Sequence, residues 1–265
     1  RTVLPDGPPV GPRTERLLRD RDAGSWSGDD ARDAFAAVTE LLATASADTV
    51  PDAVAAAARW AADGLVGGIA GWASAVRMRG AIGEPADTAL AASLRERLDV
   101  LGLELRWNEL GASWHSARPL LWTVWREHPE TRAGEYAFLQ LQLAGWDTGF
   151  ACGEGSDAFR RVIERGRTFL DERPDSPLRG YVAYTVAAAY ETWWSLSRAP
   201  DDAIYVVADD YRPGADEARR RAIAFYATAA RALEGTVEAD DAVRRTARLH
   251  LGSDTRQRRY HCIYD

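Results

Sequence analysis

The chain has 265 residues and a net charge of −7, and all 33 of its basic side chains are arginine, with no lysine at any position. The missing lysine excludes Schiff-base catalysis, a pyridoxal phosphate anchor and the phosphate-binding lysine of P-loop and kinase sites. The acidic balance and the lack of a basic stripe argue against nucleic acid, so no such partner is expected.

The chain opens with a proline-rich segment, and we expect residues 1–26 to form an extended tether. Such a tether suits a chain that follows a removed export signal. This interpretation favours an extracytoplasmic, periplasmic location, and a cytoplasmic location is the alternative.

Residues 27–111 are predicted to form an alanine-rich N-terminal helical region. Ser27 or Asp29 is placed to cap a helix that runs to about Ser46. The motif Asp29-Asp30-Ala31-Arg32-Asp33 matches a metal-binding DDxxD pattern, but its acids lie where they stabilise a helix N-terminus. Capping is therefore expected there rather than a metal site.

Four glycines interrupt the most apolar stretch of this region, in two pairs at GxxxG spacing: Gly64 with Gly68, and Gly67 with Gly71. The apolar run from Leu65 to Val76 is too short for a bilayer span, which needs about 20 residues. The glycines therefore predict a close-packed helix pair in a protein core. Membrane association is expected to be indirect at most.

Ten tryptophans are the most unusual feature of the composition. Leu103, Trp107, Leu110 and Trp114 follow helical spacing, which predicts a buried helix face as the default. The alternative is an aromatic groove for a protein partner, because interfaces favour tryptophan and arginine. The candidate partner-binding residues are Trp107, Trp114, Trp122, Trp125, Trp193 and Trp194.

Residues 112–265 are predicted to form helical repeats, each a helix, a polar turn and a second helix. The turns lie at Pro129, Pro174 and Gly235, and an inserted loop spans residues 198–214. Small residues at mid-helix, such as Gly166, would let partner helices approach closely. Because tandem helical hairpins cannot bury their apolar faces alone, we expect them to stack as a solenoid.

The segment from Ala158 to Pro177, with Ala187-Ala188-Ala189-Tyr190 after it, carries a resemblance to a known family. It resembles tetratricopeptide-type repeats, in the style of periplasmic outer-membrane-assembly lipoproteins, over about residues 130–251. The resemblance implies an all-α fold of stacked antiparallel helical hairpins. It also implies a non-enzymatic protein-binding scaffold, or an accessory subunit of a larger assembly, whose partner is a protein.

Two groups of polar residues leave other interpretations open. Cys152 and Cys262 form a disulfide if the protein is exported, or else are two buried thiols. The second function hypothesis is a helical enzyme with a metal or acid/base site at the acidic insertion or the C-terminal tail. Its candidate residues are Asp201, Asp202, Asp209, Asp210 and His261. No catalytic residue, cofactor or metal ligand is assigned.

Overall fold

The computed structural model describes residues 10–22, 26–84, 86–109, 111–143, 158–199 and 207–253. These residues are predominantly helical, as the sequence predicts, with eleven α-helices, one π-helical segment and one β-hairpin. The chain divides into two compact units. The described residues 10–141 belong to the N-terminal unit, and those from 142 to 253 belong to the C-terminal unit. The division lies inside residues 112–265, the segment predicted to form helical repeats.

The N-terminal unit is built around one long helix, α3, whose buried residues pack against elements on several sides. Its helices and strands, in chain order, are α1 (Pro12–Asp22), α2 (Gly28–Ala45), α3 (Asp52–Ala81), α4 (Thr88–Val100), β1 (Leu105–Asn108), β2 (Ser113–Ser116), α5 (Pro119–Glu127) and α6 (Arg132–Phe138). The π-helical segment Leu139–Leu143 follows α6.

The predicted cap of α2 is confirmed. Ser27 accepts a hydrogen bond from the backbone N–H of Asp30, and the Asp30 carboxylate accepts one from the backbone N–H of Ser27. This reciprocal pair is a capping box, and it satisfies two helix-end donors at once. Asp29 and Asp33 form ion pairs with Arg32 and Arg13. The acids of the DDxxD motif thus form the capping box and the ion pairs in the first turns of α2.

Part of the segment predicted as a tether is a helix. Residues 12–22 form α1, and Leu17 is fully buried in the core shared by α2, α3 and α4. The proline at position 12 begins the helix instead of preventing it, because proline is tolerated in the first turn. The composition of residues 1–26 does not indicate that Leu17 packs against apolar side chains of α3.

Trp107 and Trp114, whose spacing predicted one helix face, lie on a β-hairpin instead. Helix α4 ends at Val100, and Gly102 then adopts a φ of 72°, the left-handed conformation typical of a helix C-terminus. Strands β1 and β2 pair antiparallel, with Trp107 opposite Trp114. Their rings meet edge to face at 5.4 Å, an arrangement that stabilises cross-strand aromatic pairs.

The C-terminal unit consists of α7 (Ala158–Glu172), α8 (Arg179–Leu196), α9 (Ala208–Tyr211), α10 (Ala215–Ala232) and α11 (Val237–His250). The turns between α7 and α8, and between α10 and α11, lie at the predicted Pro174 and Gly235. Helix α8 packs against α7, α10 and α11 and is buried over most of its surface. Gly166 lies directly against Val186, which confirms the close helix approach expected there.

A buried polar network joins α8, α10 and α11. The Tyr226 hydroxyl donates to Glu191 Oε2 at 2.5 Å, and Arg245 donates to the same oxygen at 3.0 Å. Arg245 also donates to Asp241 at 2.5 Å, and Tyr184 donates to that carboxylate. Because Glu191 is fully buried, these bonds offset the cost of removing its charge from water.

Among the described residues, no helix is both long enough and apolar enough to cross a membrane.

Candidate binding cleft

The N-terminal unit contains a cleft of about 930 Å³ that lies against α3. Asp63, Gly67, Gly71, Ala75 and Arg79 all line it and form a row at intervals of four residues. With 3.6 residues per turn, each residue lies about 40° further around α3 than the one before it, so the row winds around the helix while it rises about 24 Å along the axis. We call this site the α3 cleft.

Aromatic side chains form much of its walls. Trp26 precedes α2, and its indole N–H donates to the carbonyl of Leu17 at 3.3 Å. Trp114 comes from β2, and its backbone N–H donates to Ser74 Oγ on α3 at 2.7 Å. The Trp26 ring and the Trp114 backbone are therefore held by hydrogen bonds to neighbouring elements, which gives the cleft a largely preformed shape.

The two glycine pairs of α3 have different surroundings. A Cβ at Gly68 would lie 2.7 Å from Cζ3 of the Trp26 ring, so this position needs glycine for close packing. A Cβ at Gly64 would lie 2.7 Å from the end of the flexible Leu18 side chain, and one at Gly67 or Gly71 would meet nothing within 4 Å. The predicted close approach is therefore confirmed at Gly64 and Gly68, and it is wrong for Gly67 and Gly71, which line the cleft.

An ion pair closes one end of the row. Nε and Nη2 of Arg118 donate to Oδ2 of Asp63 at 3.0 and 2.9 Å, and Nη2 also donates to Gln140 at 3.3 Å. The Asp63 carboxyl also accepts a hydrogen bond from the backbone N–H of Leu121 in the first turn of α5. Burial raises the pKa of Asp63, and Arg118 opposes that rise.

Arg118 has a strained backbone. Its φ of 58° and ψ of 46° lie in the left-handed region, which residues other than glycine rarely adopt. Non-glycine residues held there cost about 1–3 kcal/mol and persist when their surroundings compensate. The ion pair with Asp63 supplies such compensation, and it fixes the guanidinium at the cleft.

The lining is positively charged although the whole chain is negative. Among the described residues, the lining contains three arginines, Arg21, Arg79 and Arg118, and one carboxylate, Asp63. Their formal charges sum to +2 in a protein of net charge −7. His115 also lines the cleft. A lining with this charge favours an anionic ligand.

Comparison of the chain with protein-family models, with curated proteins and with solved structures finds no similar one. The function must therefore be inferred from the residues of the cleft.

Four of the six tryptophans named from the sequence lie in the N-terminal unit, and two lie in the C-terminal unit. Trp114 lines the α3 cleft, and Trp107 packs beside it with the guanidinium of Arg77 4.0 Å from its ring. Trp122 and Trp125 contact each other on α5 at 5.4 Å. In the C-terminal unit, Trp194 is buried, whereas the partly buried Trp193 donates to the carbonyl of Tyr211 at 3.0 Å.

Of the residues proposed for a metal or acid/base site, Asp209 and Asp210 lie within the described ranges. Cys152, Cys262, Asp201, Asp202 and His261 lie outside the described residues. Asp209 and Asp210 belong to the single-turn helix α9, where Asp209 pairs with Arg212. Within the described ranges, no three histidine, cysteine or acidic side chains are grouped so that they could hold a metal ion.

Sequence reasoning missed Asp63 and Arg118 as members of a site. They are 55 residues apart, and only the fold brings them together. One signal was present, because Asp63 is the acid that interrupts the apolar run of α3, and a lone acid in such a run requires a partner when it is buried. Trp26 and Arg21 lay in the segment predicted as a tether.

Proposed function

We propose that this chain is a non-enzymatic binding protein, a scaffold or accessory subunit, that holds a segment of a protein partner in the α3 cleft. The observation that carries the proposal is the lining, which has arginines at its ends and tryptophans between them. Tryptophan and arginine are the residues most enriched at binding hot spots. The one carboxylate that lines the cleft among the described residues, Asp63, accepts hydrogen bonds from Arg118 and Leu121, which favours a structural role over proton transfer.

The C-terminal unit supports the scaffold role in a different way. Helices α7 and α8 are joined by a short turn, and so are α10 and α11, as in the tetratricopeptide-type repeats that the sequence resembles. Proteins built from stacked helical hairpins commonly bind other proteins on their surfaces. By the same resemblance, the proposed setting is an extracytoplasmic assembly.

Selection from a random peptide library tests the proposal without knowledge of the partner. Peptides that bind the full chain should lose binding to the Gly71→Leu variant, because the leucine would occupy the open cleft. The matched control is Ala53→Leu, which adds the same side chain at an exposed position of α3 that does not line the cleft.

The expected result is at least a tenfold loss of affinity for Gly71→Leu, which corresponds to about 1.4 kcal/mol, and no loss for Ala53→Leu. Circular dichroism would verify that both variants remain folded. Selected peptides that bind both variants equally would show that the α3 cleft is not the binding site, and a library that yields no binder would contradict the proposal.

A further inference from the structure

We infer that Arg77 and Arg95 form a second contact site, which binds the carboxylates of acidic side chains on the protein partner. The inference rests on the proposed function for the kind of partner, but it concerns two residues that do not line the α3 cleft. It follows from the way both arginines stack on the tryptophan pair of the β-hairpin.

The hairpin and two helices bring the four side chains together. Trp107 and Trp114 are opposite each other in the register of β1 and β2, so their side chains project from the same side of the hairpin. The guanidinium carbon of Arg77, on α3, lies 4.0 Å from the centroid of the Trp107 ring and 5.8 Å from that of Trp114. The guanidinium carbon of Arg95, on α4, lies 3.7 Å from the centroid of Trp114.

The stacking leaves the hydrogen-bonding edges of both guanidinium groups available. A guanidinium that lies on an aromatic ring uses its flat face for that contact, whereas its N–H bonds lie in the plane of the group. Neither Arg77 nor Arg95 forms a hydrogen bond or an ion pair with any residue that the structure describes. Arg77 is exposed and Arg95 is partly buried, so a ligand can reach this pair from solvent.

The cluster is rich in donors and poor in acceptors. Nε of Arg95 and the indole N–H of Trp107 are buried and have no hydrogen-bond partner among the described residues. The acids on the same helix as Arg95 do not compensate, because Glu96 and Asp99 are exposed and pair with neither arginine. Buried donors without partners are uncommon and cost stability, so the approach of a negatively charged acceptor is favoured here.

A carboxylate on a protein suits this cluster better than a polyanion. A carboxylate and a guanidinium form two parallel hydrogen bonds in one plane, and tryptophan and arginine are the residues most enriched at protein-binding hot spots. Nucleic acid needs a continuous basic surface that follows its phosphates, whereas this protein has a net charge of −7.

NMR spectra of the full chain with isotope-labelled arginine can test the site directly. The buried Nε–H of Arg95 is protected from exchange with water, so it should give a visible signal. A short polyglutamate peptide with blocked ends should shift the Nε–H signals of Arg77 and Arg95 in a saturable way. A polyglutamine peptide of the same length should shift neither, and inorganic phosphate should bind more weakly than polyglutamate.

Variants separate the site from general attraction between charges. Arg77→Gln and Arg95→Gln should each weaken polyglutamate binding by at least about fivefold. Arg77→Lys should recover only part of the loss, because an ammonium group keeps the charge but lacks the planar set of donors. The matched control is Arg97→Gln, which removes a single guanidinium stacked 4.0 Å from the Phe35 ring on the same helix as Arg95. It should leave the affinity unchanged.

Three results would overturn the inference. They are signals of Arg77 and Arg95 that do not respond to polyglutamate, phosphate that binds more tightly than polyglutamate, and an Arg97→Gln variant that loses as much affinity as Arg77→Gln. Circular dichroism would verify that each variant remains folded.

The proposed function is tested separately at Gly71. If library-selected peptides depend on an open Gly71 while both arginines stay unresponsive to polyglutamate, the inference is wrong and the proposed function stands. If both arginines respond but no selected peptide depends on Gly71, the contact site is supported and the α3 cleft is rejected as the binding site.

Discussion

At position 68 of α3 the absence of a side chain is required by the fold, whereas at position 71 it is not. The ring of Trp26 occupies the space that a Cβ at Gly68 would need, but Gly71 faces the open cleft. Glycine in a helix interior costs about 1 kcal/mol relative to alanine. The close contact with Trp26 offsets that cost at position 68, and the structure offers no such contact at position 71.

The two positions should therefore respond oppositely to alanine. Gly68→Ala should lower the free energy of unfolding by about 1–3 kcal/mol, because it forces Trp26 away from α3. Gly71→Ala should raise it by up to about 1 kcal/mol through helix propensity alone. Urea denaturation followed by circular dichroism would measure both, and a destabilising Gly71→Ala would show that the position packs against protein.

The Asp63–Arg118 ion pair should be needed for stability in a pH-dependent way. Arg118→Ala leaves a buried carboxylate without its counterion, which typically costs about 3–5 kcal/mol. Because burial already raises the pKa of Asp63, the removal of Arg118 should raise it further.

The sign of the pH effect follows from that raised pKa. A carboxyl group whose folded pKa exceeds the unfolded value of about 3.9 stabilises the fold below that pH, and the contribution is lost as the pH rises through the folded pKa. The deficit of Arg118→Ala should therefore be small in acid and grow towards neutral pH. Arg19→Ala, at an exposed position of α1, is the charge-matched control. A deficit independent of pH would contradict the assigned role of Asp63.

The helices were more predictable than the hairpin because their signals are local. Ser27 and Asp30 cap α2 within one turn, and Pro174 and Gly235 mark the turns between helices. The spacing of Trp107 and Trp114 fits one helix face, but it also fits two facing residues of a hairpin. Gly102 and the turn-forming Asn108, whose Oδ1 accepts from the backbone N–H of Gly111, were the signals that favour the hairpin.

The network between α8, α10 and α11 should make the C-terminal unit sensitive to alkali. Burial and the hydrogen bond to Asp241 raise the pKa of Tyr184 to about 12, and burial raises the pKa of Tyr226 well above its usual value. The protonated phenols are thus favoured by folding. Their stabilising contribution is complete below about pH 10 and is lost as the pH rises towards 12.

Tyr184→Phe is the variant that tests this dependence. It should cost about 1 kcal/mol at neutral pH through the lost hydrogen bond. It should also reduce the slope of unfolding free energy against pH between about pH 10 and 12, because one titrating group is removed. Denaturant titrations at several pH values would give the slope, and an unchanged slope would contradict the assignment.

At the scale of the whole molecule, the all-α class followed from composition and periodicity, but the cleft did not. Its lining combines α1, the segment before α2, α3, β2 and the start of α5, and the lining residues range from position 21 to position 140. No local sequence pattern indicates which arginines will lie next to Asp63 in the fold. The overall charge of −7 even pointed away from a cationic site, because net charge averages over the surface and says nothing about its distribution.

The two glycine pairs of α3 also imply two kinds of evolutionary constraint on a single helix. Position 68 is tied to the ring at position 26, so the two can change only together. Positions 67 and 71 are open on the side of the cleft, and the fold does not restrict them to glycine. If a descendant of this sequence exchanged its partner for another, positions 67 and 71 would be free to change, while Gly68 would stay fixed by Trp26.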